Sequence, residues 1–129
     1  MKKKILIVSA NYYKDIAKGL LSSAIKLIPR TSKVKIIEVP GTFEIPIVIS
    51  QNINKYDAFL ALGCVIKGKT PHFDFISQAS INAIMDLSIS SKKPIGNAII
   101  TCLNMSQAKA RKIKGAEAAK AVISILSLK

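Results

Sequence analysis

The chain has 129 residues, half of them hydrophobic, and 20 lysines and arginines set against 7 acidic residues give it a net charge of +13. That length and apolar content exclude a disordered chain and predict one domain, residues 1–129, able to bury a core without staples. No apolar run approaches the ~20 residues that span a bilayer, and Lys2-Lys3-Lys4 leads into too short an apolar run for a signal peptide, so no membrane association and a cytoplasmic location are predicted.

The charge is carried almost wholly by lysine, with Arg30 and Arg111 the only arginines. Lysine offers a point charge rather than the flat fork that reads bases or clamps phosphates, and aromatics are sparse. A solvated lysine surface is therefore favoured over a nucleic-acid face, and no nucleic-acid partner is predicted. Anionic substrates are attracted under either reading. Cys64 and Cys102 sit in separate apolar runs, where they read as small buried hydrophobes. One histidine and two separated cysteines do not make a zinc site.

In chain order, the apolar, β-branched run Lys4–Ala10 predicts a first strand. Ile16, Leu20, Ala24, Leu27 and Ile28 recur at helical spacing, predicting a helix from about Asp15 to Ile28 that Pro29 ends. Val34–Val39 is a second strand, closed by Pro40-Gly41. Thr42 is a candidate N-cap for a short helix through Ile53, with Pro46 tolerated near its start. Ala58–Ile66 is apolar nearly throughout, as in strands covered on both faces. Thr70-Pro71 reads as a cap and first helical residue for a long helix to about Ser90, with Ile76, Ala79, Ala83, Ile84 and Leu87 inward. Pro94 precedes a fourth strand, Ile95–Cys102, and helical pieces near Ser106–Arg111 and Gly115–Leu126 finish the chain.

This alternation predicts an α/β three-layer sandwich: an open, four-stranded parallel sheet with flavodoxin-like double winding and helices on both faces. Ligands in such folds bind off the carboxyl ends of the strands. Those ends carry Asn11-Tyr12-Tyr13, Gly41-Thr42-Phe43-Glu44, Gly68-Lys69-Thr70-Pro71-His72 and Cys102-Leu103-Asn104.

Two readings of the third segment compete. Gly63-x-x-x-x-Gly68-Lys69-Thr70 matches the P-loop pattern literally, but its intervening residues, Cys-Val-Ile-Lys, continue a strand rather than bend into a phosphate cradle. No other strand ends in an aspartate placed for magnesium. The alternative keeps the anion site without the nucleotide: Gly68 admits a ligand, Lys69 and Thr70 add a charge and a hydroxyl, and His72 exchanges a proton near neutral pH. A surface histidine on a capped helix is the plainer reading and stands level with it on spacing alone. Phe43 is either a core residue or a substrate face, Tyr12 and Tyr13 are either rim residues or a stacking platform, and Arg111 and Lys114 read first as solvated charges.

Two long segments in fixed order carry a resemblance over nearly the whole chain: Val39-Pro40-Gly41-Thr42-Phe43-Glu44-Ile45-Pro46 and Leu62-Gly63-Cys64-Val65-Ile66-Lys67-Gly68-Lys69-Thr70-Pro71-His72-Phe73-Asp74-Phe75. With Lys114-Gly115-Ala116-Glu117 in support, the chain resembles the 6,7-dimethyl-8-ribityllumazine synthase family. The resemblance implies a transferase of riboflavin biosynthesis that condenses a ribitylamino-pyrimidinedione with dihydroxybutanone phosphate and uses no metal or organic cofactor. By residue it implies that Tyr12 stacks on the pyrimidine, Thr42, Phe43 and Glu44 hold the ribityl chain, and Val65 and Ile66 line the ring pocket. It implies further that Lys69 and Thr70 bind phosphate, His72 moves protons, Arg111 clamps phosphate, and Lys114 and Glu117 complete the polar wall. Homopentamers, in some members assembled into icosahedral shells, with active sites between subunits, are implied as well.

The chain departs from the family at four places. Lys69 replaces an acidic or small residue, and Asn97 stands where an aromatic or apolar residue closes the pyrimidine pocket. The connection from Arg111 to Lys114 is short, and the family's N-terminal extension has no counterpart before Lys2. A non-catalytic flavin- or lumazine-binding relative and, more remotely, a nucleotide-binding domain are the alternatives.

Overall fold

The structure, a computed structural model, describes residues 2–128. Four strands, β1 (Lys4–Ala10), β2 (Lys33–Val39), β3 (Ala58–Ile66) and β4 (Ile95–Cys102), pair in parallel in the order β2-β1-β3-β4. Between them run α1 (Lys14–Leu27), a 3₁₀ turn at Thr42–Glu44 leading into α2 (Ile45–Gln51), and α3 (His72–Ser91). The chain finishes with α4 (Met105–Ala110) and α5 (Lys114–Leu126).

Side-chain alternation sorts the sheet into two cores. Ile5, Ile7, Leu60, Leu62, Ala98 and Ile100 face α1 and α5, whereas Leu6, Val8, Phe59, Ala61 and Ile99 face α2 and α3. Because β1 and β3 are central, both of their faces are covered, and each reads as an unbroken apolar run. This is the three-layer, doubly wound α/β arrangement of the flavodoxin type. No helix among the described residues is long and apolar enough to cross a membrane.

The strands fall where the residues place them, with β2 beginning one residue early, at Lys33. Helix detail differs more. Thr42 does not cap a helix with its side chain; it opens the 3₁₀ turn, and its carbonyl accepts the Ser80 hydroxyl at 3.5 Å. α2 stops at Gln51 rather than Ile53, because Asn52 turns off and donates its side-chain amide to the Val48 carbonyl. α3 begins at His72, with Pro71 just outside it, although the Thr70 hydroxyl does accept the His72 N–H at 3.4 Å. Its buried residues are Ser77, Ser80 and Ile84, and Ala79 is exposed. The Ser80 hydroxyl bonds across to the 3₁₀ turn, Ser77 Oγ has no hydrogen-bond partner among the described residues, and these small buried side chains let α3 lie close against the sheet and blur its apolar periodicity. In α1, Leu27 turns outward and Ala17 inward.

The short α4–α5 connection is tied down at three points. Ser23 Oγ donates to the Lys112 carbonyl at 3.0 Å, Lys112 Nζ pairs with Asp15 at 3.4 Å, and Gly115 lies on the Leu20 carbonyl where no Cβ would fit.

Candidate active site

The carboxyl ends of β1 and β3 leave a cleft of about 520 Å³ between the β1–α1 turn, the 3₁₀ turn and the start of α3. Tyr12 and Tyr13 form one wall and Gly41, Thr42, Phe43 and Glu44 the opposite one. Cys64, Val65 and Ile66 make the floor, and His72 and Ile76 close the α3 side. This is the rim on which a parallel sheet presents its ligand sites, since the loops there diverge from the strand ends.

The cleft has two aromatic lips. Tyr12 is 74% exposed and Phe43 60% exposed, so neither is a core residue. Tyr12 is held from behind by an edge-on contact with Tyr13, ring centroids 4.8 Å apart and planes at 82°. An edge contact behind leaves a face of the Tyr12 ring free for a flat ligand. Tyr13 is half-buried, and burial raises its phenol pKa, with Tyr12 and Cys64 adding to the shift, so it remains a neutral hydrogen-bonding group.

Gly63, the first glycine of the apparent P-loop, has a packing role. The Thr42 methyl sits directly over its Cα, in space a Cβ would occupy. β3 runs straight on to Ile66, so residues 64–66 are strand and cleft floor and do not wrap a phosphate. The nucleotide-loop reading therefore fails on backbone conformation. Gly68, by contrast, has open space around it.

Cys102 is fully buried in the core, as expected of a small hydrophobe, whereas Cys64 is only half-buried. Burial, then the charge and hydrogen bonding of Cys102, push the Cys64 thiol up to about 12. A thiol so protonated is a wall group, not a nucleophile.

Of the residues singled out from the sequence, Tyr12, Thr42, Phe43, Glu44, Val65, Ile66 and His72 meet in this cleft. Lys69 and Thr70 lie exposed on the turn before α3, outside the cleft wall. Tyr13, Gly41, Cys64 and Ile76 also line it. Cys64 and Val65 point to opposite faces of β3, yet both reach the cleft because it lies across the strand end; alternation gives no warning of that.

A second group lies elsewhere. Arg111 follows α4 and donates Nη1 to the Thr101 carbonyl at 3.0 Å, with the Cys102 sulfur at 3.8 Å. Those contacts fix one edge of the guanidinium. Asn104 caps α4 by accepting the Gln107 N–H at 2.9 Å, while Gln107 Oε1 accepts the Leu103 N–H at 2.8 Å, which sets the helix that delivers Arg111. Lys114 and Glu117 pair with each other at 2.9 Å on the first turn of α5. Asn97 is exposed on β4, its Oδ1 accepting the Ile99 N–H at 2.9 Å. It pairs in register with Ala61, four residues short of Val65 and so about 13 Å back along the strand. Among the described residues, no lysine or arginine lines the cleft that holds His72.

A family model described as 6,7-dimethyl-8-ribityllumazine synthase matches residues 2–129. The chain belongs to that family. Among its relatives, a 6,7-dimethyl-8-ribityllumazine synthase of Agrobacterium fabrum is 42% identical over 99% of this chain and 95% of its own length. One of Methylorubrum populi is 42% identical over 98% of this chain and 82% of its own length. One of Bartonella tribocorum is 40% identical over the full chain and 93% of its own length. Membership makes the chain a transferase of riboflavin biosynthesis, a lumazine synthase by class.

Proposed function

We propose that this chain condenses 5-amino-6-(D-ribitylamino)uracil with 3,4-dihydroxy-2-butanone 4-phosphate, releasing phosphate and water, in a homo-oligomer whose active sites are shared between copies. The observation that carries the reading is the cleft itself: two exposed aromatic lips, an apolar floor and the sole histidine on one wall. The pyrimidine lies against the Tyr12 ring over Val65 and Ile66. Glu44 and the backbone of the 3₁₀ turn accept and donate hydrogen bonds to its polar edge and ribityl hydroxyls.

The pyrimidine amine attacks the butanone carbonyl, and water leaves as the Schiff base forms. Phosphate is then eliminated, and the ribitylamino nitrogen closes the second ring with loss of another water. Each step moves a proton at a heteroatom, and His72 is the imidazole on the cleft wall placed to take and return it. Holding the two substrates together supplies most of the acceleration.

The phosphate needs cations that the cleft wall lacks. Lys69 and Thr70 approach from the turn before α3. Arg111, held by its Thr101 contact, completes the site from a second copy, and Asn97, Lys114 and Glu117 belong to that same contributed surface. Pentamers are the assembly that the family resemblance implies, and the 129 residues act as one domain within it.

The test is direct. Purified protein mixed with both substrates should generate the absorbance of 6,7-dimethyl-8-ribityllumazine, at a rate that depends on both. Retained lumazine binding with no turnover would overturn the assignment.

A further inference from the structure

At the end of the sheet opposite the cleft, a groove of about 420 Å³ is lined by Lys4, Lys33, Val34, Lys35, Lys55 and Tyr56. Its origin lies in the length of α2. Lys33, Lys35, Ile37 and Val39 share one face of the edge strand β2, but the seven-residue α2 covers only the Ile37–Val39 half. The bare half is filled with lysine. Lys4 and Lys33 are direct register partners on neighbouring strands, and Lys35 follows on the same face. Like charges placed opposite one another across strands oppose folding. None of the four lysines forms an ion pair among the described residues, and Asp57, next to Tyr56, accepts the Lys4 backbone N–H at 2.8 Å.

We infer that this groove binds a linear polyanion through its phosphate groups, which relieve the repulsion between Lys4 and Lys33. Lysine supplies point charges without base-reading geometry, so the ligand is recognised as a chain of phosphates and not by sequence. The occupant is inorganic polyphosphate, because the groove offers four point charges and a single aromatic; single-stranded RNA held through its bases is the competing outcome of the test. Tyr56, on the groove wall, distinguishes them, since an aromatic ring adds stacking only for a ligand with bases. The groove lies at the amino ends of the strands and the catalytic cleft at their carboxyl ends, so the two are separable by mutation.

Labelled oligouridylate, titrated with the full-length protein and followed by fluorescence anisotropy with inorganic polyphosphate as competitor, tests the inference. Four lysines on a single strand correspond to a slope of about −3 in log affinity against log salt. Lys33→Glu with Lys35→Glu should weaken binding at least about tenfold and roughly halve that slope, leaving lumazine formation unchanged. The milder Lys33→Gln with Lys35→Gln pair should move both in the same direction and guards against misfolding. Polyphosphate should compete with oligouridylate; an affinity for oligouridylate unchanged by Tyr56→Leu supports recognition of phosphates alone, and one that falls would overturn polyphosphate as the occupant. Lys18→Glu with Lys120→Glu, an equal charge change on exposed positions of α1 and α5, should leave binding within about twofold. An equal loss in that control would mean net charge alone drives binding, and would overturn the proposal.

Discussion

The Thr42 methyl packs directly over the Cα of Gly63, joining the 3₁₀ turn that forms one cleft wall to the strand that forms its floor. The pair explains why Thr42 is buried while Phe43, the next residue, projects outward. A Cβ at position 63 would push the turn away from β3. Gly63→Ala should therefore destabilise the fold by about 1–3 kcal/mol, the usual cost of overpacking. It should also raise KM for the pyrimidine substrate. Denaturant unfolding alongside steady-state kinetics checks both, and a neutral effect on KM would show that the turn does not hold substrate.

His72 is exposed on the first turn of α3, and its imidazole makes no hydrogen bond to protein among the described residues. His72→Ala should lower kcat by about 10²- to 10⁴-fold, the range for one general acid–base group, while stability stays within about 0.5 kcal/mol. If the protein instead loses its cooperative melt, the side chain serves the helix start.

Arg111 is anchored through one guanidinium nitrogen, which leaves the rest of the fork for an anion. Arg111→Ala should raise KM for the phosphorylated butanone far more than for the pyrimidine. Arg111→Lys, unable to bond the Thr101 carbonyl and a phosphate through a rigid fork, should recover only part of the loss. Equal effects on both substrates would remove Arg111 from the phosphate site.

His72 and Arg111 also offer a test of shared sites. Chains carrying His72→Ala and chains carrying Arg111→Ala, unfolded together and refolded as a mixture, should regain activity that neither has alone. A mixture as inactive as its components would place both residues in one copy's site.

Cys64 gives a pH signature. Its thiol is pushed from the usual 9.0 up to about 12, chiefly by burial and then by Cys102. Above about pH 9 the unfolded chain gives up this proton while the folded chain keeps it, so stability is full below that pH and falls as pH rises towards 12. Cys64→Ala should flatten this alkaline decline in a urea-midpoint series. Iodoacetamide should label native Cys64 far more slowly at pH 8 than it labels the unfolded chain.

Much of this molecule is legible in its residues. The four strands lie within one residue of the segments that announce them: β1 and β3, buried on both faces, are nearly unbroken apolar runs, while the edge strand β2 is interrupted by lysine and glutamate. The paired segments around Gly41-Thr42-Phe43-Glu44 and Gly68-Lys69-Thr70-Pro71-His72 are enough to name the family. Helical detail was less legible. Thr42 looks like a cap and is a packing residue, and α3 buries serines where alanines satisfy the period, since close packing on the sheet rewards small side chains whatever their polarity.

Only the folded chain decides how the cleft is composed. Periodicity records which face of an element is buried, and it loses meaning at a strand end, where Cys64 and Val65 from opposite faces line one cavity. Nor does it record which loops converge, so Tyr13 joins the wall while Asn97, Arg111 and Lys114 stand apart from it. Those placements follow from strand order and register, set by the packing of distant segments, and they leave the histidine in a cleft whose walls, among the described residues, carry no lysine or arginine.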